Sequence, residues 1–68
     1  MMWLTMTQEA EFKALFHRHH VEAEEDEDAM VREALGWCPR QGWTALTKRE
    51  GQKVLDYWRT KNERGERK

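Results

Sequence analysis

A chain of 68 residues with net charge -1 has room for one domain, is not a globally basic nucleic-acid binder, and at this size ordinarily needs a disulfide, a metal or a partner to support its core. Its single cysteine, Cys38, cannot make an internal disulfide and suits a reducing compartment. No apolar run approaches a membrane span, and Met1–Met6 lacks a basic leader and a cleavage site, so the expected location is soluble and cytoplasmic, with no membrane partner.

Four tryptophans, Trp3, Trp37, Trp43 and Trp58, are the expected substitute for a staple, since each buried aromatic removes about 150–250 Å² from water. The alternative is that one or two of them are exposed anchors for another protein. Charge is segregated along the chain: through Gly36 there are nine acids against three Lys and Arg, and from Trp37 onward nine Lys and Arg against four acids. Such asymmetry implies distinct surfaces.

Met1–Met6 reads as an arm that packs on the body through Trp3. Thr5 with Gln8 forms a capping-box pattern, with Thr7 as the alternative cap, and a first helix is expected from near Thr7 to about Arg18 or His19. Phe12, Leu15, Phe16 and His19 recur at helical spacing, leaving Glu9, Glu11, Lys13 and His17 outside. The stretch from His20 to Asp28 is too polar to bury. Its acids lie where a second helix starts, somewhere between Glu22 and Asp26, and oppose the positive end of that helix's dipole. Met30, Val31, Ala34 and Leu35 form its apolar face, and Gly36 is the expected left-handed cap.

Trp37 to Leu46 holds the only proline and two flanking glycines, so it is the principal loop, and its two tryptophans imply that it folds back on the core. Thr47 and Glu50 then form a second capping box, and a third helix is expected from Lys48 to about Lys61 with Gly51, Val54, Leu55 and Trp58 on its buried face. Residues 62–68 carry no apolar side chain and are expected to be a disordered charged tail. The expected architecture is therefore all-α: a single three-helix domain over residues 1–61, with a Trp-rich loop between the second and third helices.

His17, His19, His20 and Cys38 are metal-ligand types, but the paired spacings of zinc sites are absent. The acids 24–28 lack the glycine of a calcium loop. Cys38 has no placed base, serine is missing altogether and there is no glycine-rich phosphate loop, so neither an enzyme nor a cofactor is expected. Two binding patterns remain. Arg40, Lys48, Arg49, Lys53, Arg59 and Lys61, interleaved with Trp43, Tyr57 and Trp58, combine phosphate neutralisation with aromatic stacking, the chemistry of single-strand binding. Against this, Trp58 shares the apolar face with Val54 and Leu55 and reads as core before stacking platform, with the charges of the other face keeping the helix soluble. Glu24, Glu25, Asp26, Glu27 and Asp28, with Trp43, form the candidate protein-facing patch, whose plainer reading is a solvated acidic face that starts a helix.

The segments Phe-Lys-Ala-Leu-Phe from Phe12, Ala-Met-Val-Arg-Glu-Ala-Leu-Gly from Ala29, and Leu-Thr-Lys-Arg-Glu-Gly-Gln-Lys-Val-Leu-Asp-Tyr-Trp from Leu46 resemble the small helical module of phage and bacterial proteins often found at the end of phage recombination and single-strand-annealing proteins. Gly51 stands where that module usually has alanine, and here the module stands alone. The resemblance implies a phage or mobile-element setting and a nucleoprotein partner, and transfers no catalytic residue. The expected function is a non-enzymatic interaction module in DNA recombination, replication or their control, binding nucleic acid or a nucleoprotein. The competing expectation is a phage-encoded inhibitor that engages a host enzyme or defence complex through its acidic segment. A homodimer is the third expectation the thin core allows.

Overall fold

The computed structural model describes residues 2–66 and contains three helices: α1 (Met6–Arg18), α2 (Glu24–Leu35) and α3 (Lys48–Glu66), with a single 3-10 turn at Trp43–Ala45 before α3. Among the described residues there is no strand, only an isolated bridge between Trp3 and Thr47. The all-α, three-helix expectation is met.

α1 begins at the Thr5 box: the Gln8 N–H donates to Thr5 Oγ1 and the Thr5 N–H to Gln8 Oε1, both at 3.0 Å. It buries Gln8, Phe12, Leu15 and Phe16. Its end lacks glycine, yet it closes as a Schellman turn: the Val21 N–H donates to Phe16 O at 2.8 Å and the His20 N–H to His17 O at 3.1 Å. His20 takes the left-handed conformation, φ 56°. α2 has no side-chain cap, and four acids fill its first turn instead, where they oppose the helix dipole. It ends at Gly36, φ 87°, as its position implies.

The loop turns at Pro39–Gly42, with Gly42 N–H donating to Pro39 O at 3.0 Å. The 3-10 turn then lays Trp43 flat on Phe12, centroids 5.0 Å apart, with the edge of Phe16 at 5.5 Å. Leu46 follows, fully buried. The loop does fold back, but through Trp43 and Leu46; Trp37 is left 47% exposed.

The expected box starts α3, with Thr47 N–H donating to Glu50 Oε1 at 2.9 Å and Glu50 N–H to Thr47 Oγ1 at 3.2 Å. Gly51, Val54, Leu55 and Trp58 are buried as their spacing requires, and Trp58 Nε1 donates to Met30 O at 3.0 Å. The α3 backbone continues to Glu66, past the expected end near Lys61: residues 62–64 include neither proline nor glycine, and the one glycine that follows, at 65, costs a helix only about 1 kcal/mol. The last two residues of the expected tail lie outside the described residues.

Two expectations about tryptophan need correcting. The arm docks by backbone and by Leu4, not by Trp3: Lys48 N–H donates to Met2 O at 2.8 Å, Leu4 packs against the core, and Trp3 is 57% exposed. An extended segment alternates its side chains, so seating Leu4 inward turns Trp3 outward. Only Trp43 and Trp58 therefore serve the core, together with the fully buried Phe12, Val31, Leu46 and Val54.

Candidate interaction surfaces

With its apolar stripe turned inward, α3 presents the opposite face to solvent. Lys48, Arg49 and Lys53 are exposed there, line one open groove with Gln52 and Asp56, and form no ion pair among the described residues. Gln8, only 5% exposed, braces the start of that face from below: its Nε2 donates to Lys48 O at 3.0 Å and to Gln52 Oε1 at 3.3 Å.

The other expected cations are dispersed. Arg59 lies on the seam between α1 and α3 beside Glu11 and Arg18, and its guanidinium is 3.7 Å from Asp56. Lys61 bonds Glu33 of α2 and sits 4.9 Å over the Trp58 ring. Arg40 projects from the loop beside Glu24, Glu27 and Asp28, away from the helical cations. Nor do the aromatics form a platform: Trp43 and Trp58 are core, and Tyr57, 37% exposed, donates its hydroxyl to Glu33 Oε2 at 2.8 Å. Hydrogen bonds from Lys61 and Tyr57 hold the Glu33 carboxyl below its ordinary range, and the same bonds to Glu33 raise the Tyr57 and Lys61 values. This cluster braces α2 against α3.

The acidic segment divides by role. Glu24, Glu25 and Asp26 are exposed on the first turn of α2, whereas Glu27 accepts the Trp43 Nε1–H at 3.2 Å and Asp28 lies against the loop near Gly42 and Cys38. Burial, then the neighbouring Asp28 carboxylate, pushes the Cys38 thiol up to about 11, and its S–H points to Pro39 O at 3.5 Å. A thiol so placed stays protonated at neutral pH and is a poor nucleophile. His19 turns its ring edge-on to Trp58 at 5.1 Å, and among the described residues no three His, Cys, Asp or Glu side chains converge as metal ligands.

The structure adds a surface that sequence spacing did not locate. Trp3 and Trp37 line one groove with Pro39, Ala45, Thr47 and Glu50. The two indoles are 34 positions apart, and the docking of the arm beside Thr47 and Lys48 brings them to one groove. Their excess over what a small core can bury was the one available signal. Among the described residues no helix is long and apolar enough to cross a membrane. No protein-family model matches the chain, and neither a curated protein nor a solved structure is significantly similar to it.

Proposed function

We propose that this chain is a non-enzymatic module that binds nucleic acid through the outward face of α3, in a phage-type setting of DNA recombination, replication or their control. What carries the reading is the group Lys48, Arg49 and Lys53, which share one groove and have no ion-pair partner among the described residues. Cations left unpaired on a rigid helix neutralise phosphates and release counterions, a sequence-independent attraction. With Trp43 and Trp58 committed to the core, base stacking contributes little. Binding is directed at the backbone and depends weakly on base sequence.

The test is fluorescence anisotropy of a labelled single-stranded oligonucleotide over a range of salt. Three phosphate contacts give a log–log slope of about -2, and the double variant Arg49→Ala with Lys53→Ala reduces it to about -0.7. Absence of binding at low salt ends the proposal. The inhibitor reading is supported by the exposure of Glu24, Glu25 and Asp26. Neutralising those three alone probes it without disturbing Glu27 and Asp28, which hold the loop.

A further inference from the structure

We propose that the groove between Trp3 and Trp37 docks a basic segment of another protein, one that carries a large apolar side chain among lysines or arginines. This surface is separate from the α3 cations and does not depend on their binding nucleic acid. Of the four indoles, two are spent on the core, and the other two, 57% and 47% exposed, face a single groove walled by Pro39 and Ala45. Both are carried on backbone that the fold holds. Trp3 is fixed by its bridge to Thr47 and by the adjoining bond from Lys48 N–H to Met2 O, and Trp37 stands between the Gly36 cap and the Pro39–Gly42 turn. Backbone that is already held does not have to be ordered on binding, and tryptophan is enriched where binding energy concentrates.

Charge selects the occupant. Glu50 lies in the groove itself. Gln41 and Thr44 on its rim also line the adjoining small pocket that contains Glu24, Glu27 and Asp28, with Arg40 the single cation there. An anionic surface flanking an apolar floor repels phosphate and attracts cationic side chains. A second copy paired through this same face is disfavoured for the same reason: twofold pairing brings the carboxylates of both copies into one interface, and like charges brought together there oppose association.

The experiment follows the four indole N–H signals of the isotopically labelled full chain by NMR. The probe is a short synthetic peptide with one leucine among lysines and arginines, compared with a counterpart in which every cation is replaced by glutamate. Trp58, whose Nε1 is bonded to Met30 O, is the internal control. The basic peptide should move the Trp3 and Trp37 signals and leave Trp58 in place, and Trp37→Ala should weaken its affinity about tenfold or more. Glu50→Gln, which keeps the helix cap because glutamine serves the capping box equally, should weaken binding and reduce its salt dependence. Because Trp37 is outside the core, an unchanged circular dichroism spectrum separates lost binding from lost folding. Equal binding of the acidic peptide, unchanged affinity in Trp37→Ala, or no movement of either indole would overturn the proposal. So would movement with protein concentration alone, which makes the occupant a second copy, or movement with an oligonucleotide, which makes it nucleic acid.

Discussion

His20 alone among the described non-glycine residues has a positive φ, 56°, and α1 is closed by it. The left-handed conformation costs a residue with a Cβ roughly 1–2 kcal/mol, and glycine avoids this while losing part of the gain to its freer unfolded state. His20→Gly should therefore raise stability by about 0.5–1 kcal/mol, read as a higher denaturant midpoint at unchanged slope. A lower midpoint would mean that the imidazole does more than cap. The contrast with Gly36 shows what residue types reveal. Gly36 could be read as a cap because glycine is the usual occupant of that conformation, whereas nothing in the identity of His20 announces a Schellman turn.

At the scale of elements, the start of α3 joins cap, arm and core. A Cβ on Gly51 would lie 2.0 Å from Leu4 Cδ2 and 3.5 Å from Phe12 Cε2, so the missing side chain is what lets the arm close over the helix. Gly51→Ala gains about 1 kcal/mol of helix propensity and displaces Leu4. Its expected signature is faster amide exchange at Lys48, whose N–H is bonded to Met2 O, with little change in global stability. Unchanged protection there would show that the arm is held without Leu4. The capping boxes and the inward stripe of α3 were legible because a helix puts residues three and four apart on one face whatever surrounds it. The docking of the arm was not, since a six-residue extended segment carries no periodicity that says which of Trp3 and Leu4 faces inward.

For the whole molecule, the joint between α1, the loop and α3 lies at Phe12, fully buried, stacked on Trp43 and tilted against Phe16 at 5.8 Å. Phe12→Ala should cost about 3–5 kcal/mol, as much as a single core of this size supplies, and leave the chain largely unfolded by circular dichroism at 25 °C. Trp3→Ala and Trp37→Ala, which remove rings outside the core cluster, should keep the native spectrum. A folded Phe12→Ala would move the centre of the core elsewhere. The same packing decided the fate of the candidate sites. It kept Lys48, Arg49 and Lys53 together, tied Lys61 to Glu33, left Arg40 beside the acids, and withdrew Trp43 and Trp58 from any stacking role. The chain by itself determined its three helices, the caps at Thr5, Gly36 and Thr47, the buried face of each helix and the division of charge, because all of these depend on neighbours within about one helical turn. Which indoles are buried, which cations are paired and which surfaces they share was decided only in the tertiary structure, where segments distant in sequence compete for one small interior and the side chains that lose that competition form the outer faces.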